Sequence, residues 1–566
     1  MPLKVTFTRR EFLEKSGQGL LAGSAAFMAS SQTIAHESAA KPPNVILILT
    51  DDQGYGDLGV HGNDKIRTPN IDRFAGESVE FTQFFVSPVC APTRASLMTG
   101  RYNYRTGVVD TYLGRAMMHG GETTLAELLG GTGYRTGIFG KWHLGDNYPM
   151  RPIDQGFQEA LVHNGGGIGQ PADPPGNRYH NPILQRNGKA EKHEGYCTDI
   201  FTSAAIGFIR ENRQRPFFCY LATNAPHTPL QIDDSYVKPY LDMGLDETTA
   251  KVYGMVTNID DNIGNLLAEL RTLGLERNTI VIFLTDNGPQ QTRYTAGLRG
   301  LKGQVYEGGI RTSFFIRWPE RIQTGAKIDR IAAHIDILPT LLEACGVSKP
   351  DNLAIDGKSL LPLLTQKTPA WPDRTLYFQW HRGDEPILFR NCAARGQRYK
   401  LINGEELYDM NADPGEKNDI AAVHPDIAAA MRKDCEKWFR DVSSSRGYAP
   451  PRIQLGTPYE NPTILTRQDW RGPRAGWSKD SLGYWEVETA AAGTYKIILR
   501  FDPVQNASEA HFQLSSATAT QPIQKGEDSC IFSSVSLNSG AGRLEAWIES
   551  NGNSVGVNYV DVSKQP

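Results

Sequence analysis

The 566-residue sequence has few cysteines, no excess of basic residues and no long apolar run after residue 40. Its seven cysteines include no Cys-x-x-Cys pair, which argues against a thiolate zinc site and against a disulfide scaffold. The net charge of −4 gives no sign of nucleic-acid binding, so we expect no nucleic-acid partner. Because no later stretch is long and apolar enough to cross a bilayer, we also expect no integral membrane segment.

The first 40 residues resemble a twin-arginine export signal. An arginine pair at 9–10 and a Phe-Leu pair at 12–13 are followed by small apolar residues at 19–29. The lysine that usually follows the Phe-Leu pair is displaced by one position, with Glu14 in its place. We predict a signal peptide at 1–40, export to the periplasm or extracellular space, and the twin-arginine translocase as a partner. The alternative is a disordered basic terminus.

The rest of the chain alternates apolar strands with helical patterns. Residues 44–50 and 279–285 are nearly continuous apolar runs, typical of central strands in a parallel sheet that is covered on both faces. The alternation predicts an α/β fold with a mainly parallel central sheet. We divide the chain into an α/β catalytic domain at 41–373, a small α+β C-terminal subdomain at 374–445, a linker at 446–462 and an appended all-β sandwich at 463–566.

Polar clusters follow four of the predicted strands. Ligands of α/β folds bind beyond the carboxyl ends of the strands, so four clusters in that position predict one site. The clusters contain Asp51 and Asp52, Lys141 and His143, His227, and Asp286 and Asn287.

Four of these residues, Asp51, Asp52, Asp286 and Asn287, offer only oxygen ligands. Such a set suits Ca²⁺, or less well Mg²⁺, whereas zinc favours histidine or thiolate. Without a cation, three close carboxylates would repel one another. We therefore predict a calcium site, with Asp57 supporting the turn rather than binding the ion.

A short helix is predicted to begin at Cys90, two residues before a proline that suits a first helical turn. Free N–H groups at such a helix start favour an anion, and Arg94 adds a fixed positive charge one turn later. Lys302 lies in a glycine-rich stretch at 297–311, where the backbone can come close to a ligand. Lysines and an arginine around a divalent cation predict a pocket for a tetrahedral oxyanion. The alternative for Cys90 is a buried structural cysteine.

Taken together, these motifs resemble the type I, formylglycine-dependent, arylsulfatase-like sulfatases of the alkaline-phosphatase-like superfamily. The matching stretches are Leu-Thr-Asp-Asp-Gln-Gly-Tyr-Gly-Asp at 49–57, Cys-Ala-Pro-Thr-Arg at 90–94, Gly-Lys-Trp-His-Leu-Gly at 140–145, Ala-Pro-His-Thr-Pro at 225–229, Thr-Asp-Asn-Gly at 285–288 and Gly-Leu-Lys-Gly at 300–303. The resemblance covers roughly residues 43–440 and implies a hydrolase that releases sulfate from a sulfate ester.

The resemblance also implies roles for single residues. Cys90 would be oxidised by a separate formylglycine-generating maturation enzyme to Cα-formylglycine, whose hydrate Arg94 would orient. Lys141 and Lys302 would bind sulfate oxygens. His227 would protonate the leaving alcohol, and His143 would deprotonate the remaining hydroxyl so that sulfate leaves. The four oxygen-bearing residues would hold Ca²⁺.

Two other functions stay open at this point. One is a phosphoester or phosphonate monoester hydrolase of the same superfamily, and the other is a catalytically inactive glycan-binding protein.

An exported enzyme with an added β-domain fits a sulfated carbohydrate substrate. Candidate specificity residues in loops near the motifs are His163, Asn164, His180, Arg293 and Tyr294. Three tryptophans near the start of the β-domain form either a sugar-stacking platform or, as we favour, core and domain-interface packing. They are Trp470, Trp477 and Trp485.

Overall fold

A ten-stranded sheet runs through the larger part of the chain in a computed structural model, which describes residues 41–366 and 371–566. The predicted signal peptide at 1–40 lies outside the described residues. The strands of this part are β1 (Asn44–Thr50), β2 (Val79–Phe81), β3 (Phe84–Phe85), β4 (Arg135–Lys141), β5 (Glu159–His163), β6 (Ile183–Arg186), β7 (Lys189–Lys192), β8 (Phe217–Ala222), β9 (Thr279–Thr285), β10 (Arg311–Thr312), β11 (Phe314–Arg317), β12 (Lys327–Ile328) and β13 (Ala332–Ala333).

The central strands of the sheet are parallel. The spatial order is β12-β2-β11-β9-β1-β8-β4-β5-β6-β7, and the five strands from β9 to β5 all pair in parallel. Strand β11 joins β9 in antiparallel orientation, and β6 and β7 extend the other edge in the same way. Strands β10, β3 and β13 form a small separate sheet. The carboxyl ends of the five parallel strands therefore meet at one edge.

Both faces of this sheet are buried, which explains the continuous apolar runs. Along β1, Val45, Leu47 and Leu49 pack in one core, whereas Ile46 and Ile48 pack in another. Successive side chains of a strand point to opposite faces, so each face needs its own apolar set.

Helices cover the two faces. The helices are α1 (Pro69–Gly76), α2 (Cys90–Thr99), α3 (Asn103–Thr106), α4 (Leu125–Gly130), α5 (Cys197–Glu211), α6 (Asp234–Leu241), α7 (Glu247–Thr272), α8 (Glu307–Ile310), α9 (Ile337–Ala344) and α10 (Leu361–Leu364). The face of Ile46 is covered by helices that include α1, α5 and α7, and the face of Leu47 by helices that include α2, α4 and α9.

A four-stranded antiparallel sheet and one long helix follow. The strands are β14 (Leu376–Gln379), β15 (Cys392–Arg395), β16 (Tyr399–Ile402) and β17 (Glu406–Asp409), and the helix is α11 (Pro425–Ser444). Their apolar core includes Phe85, Tyr102 and Tyr104 from the first part of the chain, so the two parts share a packed boundary.

The chain ends in two packed β-sheets. Their strands are β18 (Ile453–Leu455), β19 (Thr463–Thr466), β20 (Arg471–Arg474), β21 (Leu482–Thr489), β22 (Gly493–Arg500), β23 (Ser508–Leu514), β24 (Ala517–Ile523), β25 (Ser529–Leu537), β26 (Gly540–Ser550), β27 (Asn553–Gly556) and β28 (Tyr559–Lys564). One sheet has the order β18-β21-β26-β23-β24, with β20 paired to β21 and β27 paired to β26. The other sheet has the order β19-β28-β22-β25.

The segment predicted to be a linker is partly a strand, which corrects the predicted boundary. Strand β18 pairs in parallel with β21, and both Ile453 and Leu455 are buried in the sandwich core. So short an alternation of apolar side chains is hard to recognise in the sequence, because proline precedes it and glycine follows it. The sandwich therefore begins at β18.

The architecture confirms the predicted fold class: a mainly parallel α/β sheet, a small α+β unit and an appended β-sandwich. Within the described residues, no helix combines the length and apolar character that a bilayer crossing needs.

Gly140, near the end of β4, lies too close to β8 to carry a side chain. A Cβ at Gly140 would lie 1.8 Å from the Ala222 carbonyl oxygen, and the residue has a φ of +124°. Gly133, with a φ of +94°, has no neighbour within 4 Å. We expect Gly140→Ala to destabilise the protein by about 3 kcal/mol or more, and Gly133→Ala by about 1–2 kcal/mol, because only the first adds a clash to the left-handed strain. Equal thermal unfolding midpoints for the two variants would contradict this account.

Candidate active site

The parallel register brings the predicted polar clusters to one place. Thr50 of β1 lies opposite Thr285 of β9, so the residues that follow, Asp51 and Asp286, leave the sheet side by side. On the other side, Gly140 of β4 lies opposite Ala222 of β8. The four clusters predicted from strand ends therefore line one edge of the sheet.

Three carboxylates and one amide form the centre of the site. The Asn287 side-chain amide donates to Asp52 Oδ1 at 2.8 Å, and the Asp52 backbone N–H donates to Asp286 Oδ1 at 3.2 Å. Asp51, Asp52, Asp286 and Asn287 are all at most 1% exposed.

Two oxygens of this centre are buried without a hydrogen-bond partner among the residues that the structure describes. They are Asp51 Oδ1 and Asn287 Oδ1. A buried carboxylate oxygen without a donor is costly unless a cation binds it. Ligand atoms of Asp51, Asp52 and His227 lie within 4.8 Å of one another, as do those of Asp51, Cys90 and Asp286. The donor set thus fits a hard divalent cation bound by oxygen.

Three basic side chains surround the carboxylates. Arg94 donates two hydrogen bonds to Asp286 Oδ2, at 2.7 and 3.1 Å, and a third to the Lys141 carbonyl. Lys141 Nζ donates to Asp51 Oδ2 at 2.7 Å, and Lys302 Nζ lies 2.6 Å from Asp52 Oδ1. Three positive charges therefore face three negative charges in a buried site, where unpaired charges would be costly.

The pKa values of two of the carboxyls shift in opposite directions. Burial alone would raise the pKa of Asp52, but the charge of Lys302, together with His227 and Lys141, holds it well below its usual range. Burial and the neighbouring charge of Asp51 raise the pKa of Asp286 to about 6, despite the opposing effect of Arg94. The like charge of Asp51 thus adds to the cost of burying the Asp286 carboxylate.

Cys90 begins helix α2, as its Cys-x-Pro context predicts, and lies at the bottom of a cavity. Its side chain is 2% exposed, and burial raises the pKa of its thiol despite the nearby charges of Lys141 and Lys302. Because the thiolate is the reactive form of cysteine, the unmodified Cys90 is a poor nucleophile at neutral pH.

The two histidines each use one ring nitrogen to contact a backbone carbonyl. His143 Nε2 lies 2.7 Å from the Thr111 oxygen, and His227 Nδ1 lies 2.7 Å from the Thr228 oxygen. A carbonyl accepts, so these nitrogens carry the protons, which leaves His143 Nδ1 and His227 Nε2 as the free nitrogens. Burial, with the charge of Lys302, lowers the pKa of His227 to about 3. Burial and Lys141 hold the pKa of His143 well below its usual value.

The cavity above Cys90 has a volume of about 420 Å³. Four of the predicted residues, Cys90, His143, His227 and Lys302, line it. Its wall also contains residues that the sequence patterns did not single out, because they lie on loops without a recognisable motif. These include Thr111, Tyr112, Gln170, Gln290, Trp380 and Arg382.

The five loop residues predicted as specificity candidates do not occur among the described residues that line this cavity. His163 is buried with Nδ1 on the Asn164 carbonyl, and His180 packs against the Tyr196 ring. Tyr294 is half exposed.

The prediction that Arg293 is a specificity residue is wrong, because its side chain is buried. This side chain is 1% exposed and donates to Asp57 at 2.6 and 2.8 Å. A third bond from Arg293 reaches the Asp52 carbonyl. Asp57 in turn accepts from the Gly54 backbone N–H at 2.7 Å. Both residues therefore support the turn that carries the carboxylates.

The three tryptophans of the β-sandwich differ in environment. Trp470 and Trp485 are fully buried in the sandwich core, as the favoured interpretation predicts. Trp477 is 38% exposed and lines the cavity that contains Cys90.

Comparisons with known proteins identify the family of the chain. The family model described as Sulfatase matches residues 43–347, and the model described as N-sulphoglucosamine sulphohydrolase, C-terminal, matches residues 301–440. N-acetylgalactosamine-6-sulfatase from Homo sapiens is 34% identical over 421 residues, which are 68% of this chain and 77% of that protein. Arylsulfatase A from Homo sapiens is 31% identical over 462 residues, which are 74% of this chain and 87% of that protein.

Solved structures are similar as well. Ps i-CgsB in complex with k-i-k-neocarrahexaose superimposes with a TM-score of 0.65 and 29% identity, over 72% of this chain and 95% of that one. Phosphonate monoester hydrolase of Agrobacterium radiobacter shares the fold with a TM-score of 0.53 and 21% identity, over 71% of this chain and 95% of that one.

The Arg293–Asp57 pair gives a test of how the carboxylate turn is held. We expect Arg293→Ala to destabilise the protein by about 3–5 kcal/mol, because it leaves the Asp57 carboxylate buried without its partner. The neighbouring Tyr294→Ala is the matched control, and at its half-exposed position we expect a change of about 0.5 kcal/mol or less. Thermal unfolding of both variants checks the difference. An Arg293→Ala protein as stable as the Tyr294→Ala protein would refute this supporting role.

Proposed function

Because the chain belongs to the sulfatase family and is a sulfuric ester hydrolase, we propose that it releases inorganic sulfate from sulfated carbohydrates. The observation that carries the proposal is one buried site in which Cys90, three carboxylates and three basic side chains lie together, with Cys90 and Lys302 lining a cavity. The names of its relatives support the substrate class. They include an N-acetylgalactosamine-6-sulfatase and a protein solved in complex with k-i-k-neocarrahexaose.

Cys90 acts, in this proposal, after a maturation enzyme has oxidised it to Cα-formylglycine. The hydrated aldehyde supplies a hydroxyl nucleophile and a second hydroxyl that allows sulfate to be released. Two properties of Cys90 support the modification. The thiol itself is a poor nucleophile, and at 2% exposure it is accessible to another enzyme only before the chain folds. Conversion would therefore precede export through the twin-arginine translocase.

A calcium ion is the cofactor that the oxygen donors fit. Asp51, Asp52, Asp286 and Asn287 would hold it, and two of their oxygens are buried without a partner. Bound Ca²⁺ supplies positive charge next to the reacting sulfate group. Three carboxylates face three basic side chains, so a divalent ion gives the site a net positive charge that suits an anionic substrate.

The chain's own residues then bind the ester and move protons. In this proposal Lys141 and Lys302 bind sulfate oxygens. Lys302 lines the cavity together with Cys90, and Arg94 is fixed by its three hydrogen bonds. His143 Nδ1 is unprotonated and has no hydrogen-bond partner among the described residues, which suits a general base.

His227 presents Nε2 toward Asp52 at 3.7 Å and is the proposed acid for the leaving alcohol. In the free site the pKa of His227 is low because of its burial and of Lys302. A bound sulfate anion would offset part of the Lys302 charge and so raise the pKa of His227 toward the protonated form that a general acid needs.

A panel of sulfated sugars tests the reaction. We expect sulfate release from at least one of N-acetylgalactosamine 6-sulfate, sulfated neocarrahexaose and D-glucosamine-2-N,6-O-disulfate, measured by ion chromatography. Cys90→Ala should lower kcat/KM by at least about 10³-fold, because it removes the nucleophile. Cys530→Ala, which removes a buried cysteine of the β-sandwich, is the matched control and should keep the activity.

The same assay separates the competing functions. An aryl phosphate hydrolysed faster than the matched aryl sulfate would replace sulfatase by phosphoester hydrolase. Binding of sulfated sugars without any sulfate release would indicate an inactive glycan-binding protein.

Calcium removal tests the cofactor. We expect dialysis against EGTA to lower both the thermal unfolding midpoint and the rate of sulfate release, since a ligand of the folded state alone stabilises that state. Added Ca²⁺ should restore both values better than Mg²⁺. Asn287→Ala should weaken Ca²⁺ binding measured by calorimetry, whereas Asp64→Asn, at a carboxylate that is 85% exposed, should not. Full activity in EGTA would rule out the ion.

A further inference from the structure

A second cavity adjoins the one that contains Cys90. It has a volume of about 550 Å³ and lies between the loop at 169–175 and the β-sandwich. Two side chains, Gln170 and Trp477, line both cavities. The two spaces therefore meet at these residues, one from the catalytic domain and one from the β-sandwich.

Trp477 is held in place at this junction from two sides. Its ring meets the Tyr112 ring edge to face, with centroids 5.2 Å apart. Its own loop, between β20 and β21, is fixed where Arg467 donates to the Ser478 carbonyl at 2.7 Å. A large apolar ring that is 38% exposed at the meeting point of two cavities is a suitable platform for the apolar face of a sugar ring.

Aromatic side chains held by their neighbours also line the first cavity. Tyr112 carries the Arg382 guanidinium 4.3 Å from its ring centroid, and Arg382 also lies 5.1 Å from the Trp380 ring. Asp110 fixes this arrangement by accepting from Trp380 Nε1 at 2.9 Å and from Arg382 at 2.8 Å. The aromatic wall is thus ordered before any ligand binds, which lowers the entropy cost of binding.

Polar side chains also line the second cavity. Asn558 donates to Asp502 at 3.0 Å, and both residues line the cavity, as does Gln170. Amide and carboxylate groups in a cavity that also contains an aromatic ring can pair with the hydroxyl groups of a sugar.

We propose that the two cavities form one cleft for a sulfated oligosaccharide, in which Trp477 stacks on the sugar unit next to the one that loses its sulfate. The inference rests on the proposed function, since the first cavity must hold the sulfated unit. It assigns the β-sandwich a part in substrate binding, and it makes an oligosaccharide a better substrate than the matching monosaccharide.

The ratio of two rates tests the proposal. Each sulfated sugar of the panel, beginning with N-acetylgalactosamine 6-sulfate, is assayed alone and as the terminal unit of a tetrasaccharide. We expect the wild type to show a higher kcat/KM on the tetrasaccharide. Trp477→Ala should reduce that preference about tenfold, mainly through KM, and Trp477→Phe should retain most of it. Partial misfolding would lower both rates together and leave the ratio unchanged.

Trp547→Ala is the matched control. Trp547 is a half-buried tryptophan of the same sandwich that stacks on His511, away from both cavities. This variant should keep the wild-type ratio. An unchanged ratio in Trp477→Ala would overturn the proposal, as would a wild type with no preference for the longer substrate.

A binding measurement separates failure of this cleft from failure of the proposed reaction. In the Cys90→Ala background, the tetrasaccharide should bind about tenfold more weakly when Trp477→Ala is added. Trp477-dependent binding without turnover in the wild type would keep the cleft and reject the sulfatase reaction. Turnover with Trp477-independent binding would keep the reaction and reject the cleft.

Discussion

Buried charge at the edge of the parallel sheet determines what the surrounding elements must supply. Asp51, Asp52 and Asp286 leave adjacent strands with almost no exposure to solvent, and such a cluster is unstable unless positive charge is placed beside it. Lys141 arrives on β4, which β8 separates from β1, Arg94 on the helix that Cys90 begins, and Lys302 on a glycine-rich loop. The fold can be understood as the means of bringing these charges together.

The turn that carries two of the carboxylates needs its own support. Asp52 has a φ of +60°, an unfavourable conformation for a residue with a side chain. Arg293 holds that turn by bonding to the Asp52 carbonyl and to Asp57. A buried ion pair thus stabilises a strained backbone beside the site, which is where strain is expected.

The sequence predicted the centre of the site better than its walls, for a physical reason. Residues directly after parallel strands must meet at one edge, so the strand pattern alone places Asp51, Asp286, Lys141 and His227 together. Loop residues have no such rule. The glycine-rich and proline-rich region around Arg293 predicts a residue that faces the substrate, but Arg293 is buried and supports the carboxylate turn. Conversely, Trp380 and Arg382 line the cavity, although no sequence pattern predicts that they do.

A backbone carbonyl connects the β-sandwich to the proposed general base. The oxygen of Thr111 lies 2.7 Å from His143 Nε2 and also accepts from Gln468 Nε2, which belongs to the sandwich, at 3.0 Å. Gly114 in the same loop donates to the Gln468 carbonyl at 2.9 Å, so Gln468 holds the loop by both its backbone and its side chain. The loop at 110–115 therefore takes its position partly from the appended domain, and through Thr111 that position fixes the tautomer of His143. In the sequence this domain is only a separate series of strands after a linker. In the folded chain it helps to orient the proposed base.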